Sequence, residues 1–335
     1  MTTVHEQLGP ILDQLFDRDS AQLQDVDHKA RLLLLDTVGC LLAGLDAPII
    51  QSLARGHAGI GPGVFTYPGY LPLDLQAATE IGATAIVWDE ACEGLARAHG
   101  RPGIAVIAAT LPLAVVRDLT LAQFLTAIVA GYEIGGRMGA WLRIRPGMHV
   151  DAGWPALGVA ASTAHLLGCD ARVALSAIEI AACQVPFGLY APVEAGANGR
   201  NTYIAHAALL GGLAARAAAA GCDAPVDGLA QYAAIALQAR EADPQLVPAG
   251  VPLILEGYLK PYPSVRHAHY GTAAALQLRD QLAGRIDAIE AIELLTYDEA
   301  ITYASNRAPG RRRVSEARVR VLLHLRFRTT RRKRG

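Results

Sequence analysis

Between Trp154 and Leu167 the chain places Gly158, Ala160, Ala161, Ser162 and Ala164. Side chains this small let a neighbouring helix approach closely, and they add little stability unless another backbone does come near. The segment from Asn201 to Gly221 has the same character. Both segments therefore predict helices packed on all sides. Asp27 to Leu45 spaces Leu32, Leu33, Leu35, Val38 and Leu42 as an apolar stripe and stops near Gly44 and Pro48, which is a third helix signal. Thr120-Leu121-Ala122-Gln123 is a capping box, in which the Thr hydroxyl takes the third residue's amide and Gln123 reaches back; it opens a helix to about Arg143. Asp170 is placed to cap another, from Ala171 to Val185.

The texture changes near Pro252. Leu253, Leu255 and Leu259, then Ile289 to Thr296, are short, partly alternating runs that predict strands on either side of a helix from about Arg266 to Leu282. The expected fold is thus mainly α: an all-helical domain over 1–252, the start of a small α+β lid over 253–309, and an Arg-rich tail over 310–335. There is no internal repeat of fixed period and no linker long enough to separate independent modules.

At 335 residues, 52% hydrophobic and 18% charged, the composition is that of a compact soluble protein, neither disordered nor fibrous. Asp36, Glu133 and repeated Gly interrupt the apolar stretches before they reach the roughly 18 residues of a membrane span. Met1 to Asp13 has acidic and amide residues where a signal peptide would be basic and then apolar, so a cytoplasmic protein is expected. The five cysteines, Cys40, Cys92, Cys169, Cys183 and Cys222, are widely spaced and lie mostly in apolar helical contexts, which predicts buried free thiols. Gly56 to Gly63 lacks the strand-to-helix setting and the Lys-Ser/Thr ending of a phosphate loop, and no dinucleotide fingerprint occurs, so no nucleotide cofactor is expected.

The net charge of -1 conceals an asymmetry. Residues 310–335 carry +10, with Glu316 their single acid, and the rest of the chain carries -11. Such a tail could be a basic arm for nucleic acid or a membrane surface. Its abrupt change of composition after Pro309 instead predicts a segment foreign to the fold, and neither nucleic acid nor membrane is an expected partner.

Lysine occurs three times in the chain, and one copy opens Lys260-Pro261-Tyr262-Pro263, followed by Arg266, His267 and His269. An ammonium, a guanidinium and two imidazoles beside rigid prolines suit a small anionic substrate. Two His one residue apart can share a metal, but no acidic or Cys partner stands at convincing spacing, and no metal is expected. Asp89, Glu90 and Glu93, with His99 shortly after, either supply acid and base groups or form a solvated helix end with a turn histidine. His149, just ahead of the small-residue helix, is either a ligand or a capping residue. Arg200, at the opening of the Ala-rich helix with Asn201 and Thr202, would attract a carboxylate or simply face solvent.

In order along the chain, these pieces resemble the MmgE/PrpD family, which includes 2-methylcitrate dehydratase, cis-aconitate decarboxylase and iminodisuccinate epimerase. The matching text is Leu34-Leu35-Asp36-Thr37-Val38-Gly39 with Ala43-Gly44, Asp89 to Gly103, Gly147-Met148-His149 with Gly153 and Gly158, Arg200-Asn201-Thr202-Tyr203, and Lys260-Pro261-Tyr262-Pro263 with His269. The resemblance spans residues from about 5 to 309.

The resemblance implies a cofactor-independent enzyme, usually a homodimer, with a helical domain, an α+β lid and a cleft between them. It implies a carbon-oxygen lyase, a dehydratase acting on a small hydroxy di- or tricarboxylate such as 2-methylcitrate; decarboxylation and epimerisation are the family's alternatives. Asp89, His99, Lys260 and His269 would be catalytic, and Glu90, His149, Arg200, Arg266 and His267 would bind substrate. Dehydratase and decarboxylase members carry Asp-Phe-Asp-Asp-Thr before the His; here the stretch reads Asp89-Glu90-Ala91-Cys92-Glu93, so only the first Asp and His99 carry over. Arg200 replaces a family Lys and keeps the charge without being a ready proton carrier. Val265 stands where a His often lies. Members also run considerably longer. The alternative reading is a reading-frame change near Pro309, which would leave the lid short of strands and of a family tyrosine, for which Tyr297 and Tyr303 are not matches, and give an inactive, truncated remnant with weak or no turnover.

Overall fold

A computed structural model describes residues 2–17, 24–57, 59–239 and 245–282, together with 294 and 296. The expected strand at Ile289 to Thr296 (apart from its residues 294 and 296), Tyr297, Tyr303 and the Arg-rich tail lie outside the described residues. The described residues form a mainly α fold in which β structure is limited to isolated bridges such as Gly94 with Tyr258.

The first helices are α1 (Val4–Phe16), α2 (Gln24–Leu45), α3 (Pro48–Gly56) and α4 (Leu75–Ile86). The central ones are α5 (Pro102–Val116), α6 (Leu121–Trp141), α7 (Pro155–Leu166) and α8 (Ala171–Ala182). After a single turn, α9 (Ala191–Glu194), come α10 (Thr202–Ala219), α11 (Gly228–Ile235) and α12 (His269–Leu282). The caps act where the sequence places them. Thr120 accepts from the Gln123 amide while Gln123 receives the Thr120 amide, and Asp170 accepts from the Val173 amide. Each such cap contributes about 1 kcal/mol.

The small-residue segment is the centre of the core. Every residue of α7 except His165 is buried, and the helix is enclosed by α5, α6, α8 and α10. A methyl group on Gly158 would sit 2.5 Å from the Gly131 carbonyl oxygen of α6, and one on Gly211 of α10 would sit 2.4 Å from the Ala156 oxygen. The backbones meet where the glycines are.

Three expectations are corrected. The buried face of α2 runs through Val26, Ala30, Leu33, Thr37, Cys40 and Gly44, so Leu35 and Leu42 are exposed at 70% and 47%. Gly44 sets that phase: a side chain there would run into the Ala85 backbone of α4. Second, the cysteines are free, but only Cys40 and Cys92 are buried; Cys183 caps the end of α8 and Cys222 follows α10, and both are exposed. Third, Leu253–Glu256 is a turn of 3-10 helix and not a strand. The Glu133 carboxylate accepts the amides of Leu253 and Ile254 at 3.0 and 2.8 Å, which removes donors a strand ladder would need.

Contacts divide the chain into two units. One comprises the residues up to Trp88 and Cys92–Leu259; the other comprises Asp89–Ala91 and the residues from Lys260 onward. The change of unit falls at Leu259 and Lys260. Among the described residues, no single helix is long and apolar enough to cross a membrane.

Candidate active-site groups

Within the first unit, the loop before α7 brings together two segments that are far apart in sequence. His149 is the N-cap of a short 3-10 turn, Val150–Ala152, and its Nδ1 accepts the Asp151 amide at 3.2 Å. Its ring lies nearly parallel to Tyr190 and edge-on to Tyr203 in the first turn of α10, at centroid distances of 5.9 and 5.7 Å. Tyr203 donates to the Leu189 carbonyl at 3.0 Å, and the His149 amide donates to Gly188 at 2.8 Å, so the loop is tied at both edges. Arg200 is half-buried on the 3-10 turn Asn198–Asn201 that leads into Tyr203. The capping and ligand readings of His149 are thus compatible.

Beneath His149 lies a buried charge pair that the sequence reasoning missed. Asp151 is 2% exposed, and its carboxylate accepts from the Arg101 guanidinium, which also donates to the Cys92 sulfur at 3.2 Å. Burial disfavours the Arg101 charge, but Asp151 and Cys92 more than restore it and hold its proton more tightly than usual. For His149, burial is the dominant influence and pushes the pKa below the ordinary imidazole value; Asp151 pulls it up and Arg101 lowers it. Burial thus favours the neutral form of His149. The signal available in the sequence was an arginine directly before Pro102 at the mouth of an otherwise apolar helix, since such a charge needs a buried partner.

His99 is exposed and adopts the left-handed conformation, φ 52°, at the end of the 3-10 turn Ala96–Ala98. Glu93, a candidate acid or base by sequence, is 1% exposed and accepts the Gly103 amide at 2.8 Å, so it serves the N-terminus of α5.

Within the second unit, Glu90 and Lys260 meet. The Lys260 ammonium donates to the Glu90 carbonyl at 2.8 Å and lies 3.4 Å from its carboxylate, with the Lys260 side chain only 5% exposed. Glu90 presents that carbonyl from a left-handed backbone, φ 55°. Asp89, beside it, is half-buried. Arg266 and His267, both half-buried, form a 3-10 turn that runs into α12, whose first residue is His269. His269 is buried, its Nε2 3.3 Å from the Ser264 carbonyl and its ring edge-on to Tyr262 at 5.5 Å. Burial again leads in lowering its pKa, and the Lys260 and Arg266 charges add to the effect against hydrogen bonds to Ser264 and Tyr262. The structure thus groups Asp89, Glu90, Lys260, Arg266, His267 and His269 in one unit, and His99, His149 and Arg200 in the other. Among the described residues, no group of three or more His, Cys, Asp or Glu is arranged to hold a metal ion.

The described residues thus combine a helical core built on close glycine contacts with cationic and imidazole groups on the segments between helices. The MmgE/PrpD N-terminal domain matches residues 17–239, and the chain belongs to the MmgE/PrpD family. Comparison with curated proteins returns no match.

Proposed function

We propose that the chain is a cofactor-independent lyase of the dehydratase type, acting on a small hydroxy di- or tricarboxylate such as 2-methylcitrate. Removing a proton next to a carboxylate builds negative charge on that group, and fixed cations stabilise the resulting enediolate-like state more than the ground state. Lys260, Arg266 and Arg200 would supply that charge, with Glu90, His149 and His267 completing the binding groups. His99 is the proposed base or acid, and Asp89 and His269 are the further proposed catalytic groups. Decarboxylation of an unsaturated acid and epimerisation use the same proton step, so they are the alternatives within this reading. A homodimer in the cytoplasm is the proposed setting.

The observation that carries the reading is the half-buried His149, which accepts the Asp151 amide beside the Arg101–Asp151 pair on a loop that also meets the turn after Arg200. Membership of a family that includes dehydratases supports it. Ultraviolet assay against 2-methylcitrate, cis-aconitate and related acids tests it: turnover should appear and should fall on His99→Ala and Lys260→Ala. Turnover left intact by both substitutions would refute these assignments.

A further inference from the structure

We infer that His149 is held as a fixed hydrogen-bond donor: a neutral imidazole with its proton on Nε2, presented to an oxygen of the bound carboxylate, and not the base of the reaction. A neutral imidazole has one donor nitrogen and one acceptor nitrogen. Here the backbone decides which is which, because the Asp151 amide can only donate and it points at Nδ1 at 3.2 Å. The opposite tautomer would need an acceptor for a proton on Nδ1. Among the described residues, the carboxylate oxygen nearest that atom is that of Asp151 at 3.8 Å, beyond hydrogen-bond reach, and the Arg101 guanidinium already donates to it. Turning the ring over would forfeit the amide bond while keeping the same Tyr190 and Tyr203 walls.

The other ring nitrogen has a different situation. Nε2 makes no hydrogen bond to any described residue, although the side chain is only 12% exposed. A donor with its tautomer fixed, aromatic walls and no acceptor among the described residues is suited to an anionic oxygen arriving from outside. The lowered pKa of His149 agrees with a neutral ring. Arg101 and Asp151 are positioning residues in this arrangement: the guanidinium keeps the carboxylate from drawing a proton to Nδ1. The donor role rests on the carboxylate reading above, and the tautomer does not.

The test is imidazole nitrogen NMR on the full chain labelled with nitrogen-15 histidine at pH 7, with His149→Gln to assign the signal and citrate as the probe. The expected spectrum has Nε2 in the pyrrole-like range and Nδ1 in the pyridine-like range, and citrate moves the Nε2–H resonance without changing the tautomer. Calorimetry of citrate binding separates the two ideas. His149→Gln, which keeps an N–H close to the Nε2 position, should retain most of the affinity, while His149→Phe should lose about tenfold or more. A proton on Nδ1, or on both nitrogens, overturns the inference whatever the ligand does. Citrate that binds yet leaves Nε2 unmoved overturns the donor role and spares the carboxylate reading. If citrate and 2-methylcitrate both fail to bind, the donor role falls with that reading and the nitrogen shifts alone judge the tautomer.

Discussion

Glu133 and Arg137, one turn apart on α6, form an ion pair at 2.5 Å with side chains 3% and 0% exposed. Arg137 also donates to the carbonyls of Val247, Pro248 and Val251, while Glu133 takes the amides of Leu253 and Ile254. One pair therefore fixes the whole approach to Leu259, the last residue before the second unit begins. Removing one partner strands the other charge and several backbone groups, so Arg137→Met or Glu133→Leu should cost about 3–5 kcal/mol. Urea denaturation followed by circular dichroism checks this, and a loss below about 1 kcal/mol would refute the anchoring role.

The glycine contacts of α7 predict a sharp contrast. Gly158→Ala forces a methyl group onto the Gly131 oxygen and should destabilise by about 1–3 kcal/mol. Gly39→Ala, on an exposed position of α2 with nothing within 4 Å, should instead stabilise by about 0.5–1 kcal/mol. Thermal melts of the two variants should move in opposite directions.

Much of this fold was legible because its signals are local. The Thr120 and Asp170 caps need only four consecutive residues, and the small side chains of α7 declare close packing whichever neighbour supplies it. The phase of α2 was not legible, since Leu35 and Leu33 are equally apolar and only the approach of Ala85 to Gly44 decides which one faces inward. The Leu253 turn was misread for a similar reason: its amides are claimed by Glu133, which lies 120 residues away. Among the candidate groups, His149, Arg200, Glu90 and Lys260 stood out as polar residues in apolar text. Asp151 and Arg101 did not, because a buried pair shows itself only when both members are placed.

Stability should fall on mild acidification. Burial lowers the pKa of His149, His165 and His269 in the folded state. A histidine of this kind contributes stability that is complete above the unfolded value of about 6.5 and is lost as pH falls from there through its folded pKa. Buried Glu179 acts in the opposite sense, with its pKa raised mainly by burial, so the cleanest test is a difference. His165→Leu lies on α7 beside Phe16, away from the candidate site, and should flatten the loss of urea stability between pH 7 and pH 5. An unchanged slope would show that His165 is not buried in its neutral form.

The Glu90–Lys260 contact predicts that the carboxylate and the ammonium differ in importance. Lys260 donates mainly to the Glu90 carbonyl at 2.8 Å, which survives a change of the Glu90 side chain. Glu90→Gln should therefore reduce turnover several-fold at most, and Lys260→Met should reduce it by about a hundredfold or more if the ammonium stabilises the developing charge. Equal losses in the two variants would place the effect in the ion pair and not in the cation.

Proton removal next to a carboxylate is common to dehydration and epimerisation, and solvent-proton delivery accompanies decarboxylation. The most direct measurement is incubation of the full chain in heavy water with 2-methylcitrate, citrate and cis-aconitate, followed by proton NMR of the acids. Deuterium entering a carbon next to a carboxylate in at least one of them, abolished by His99→Ala, is the predicted result. Neither deuterium nor any product from the three acids, with folded protein that binds them, would contradict the proposed chemistry.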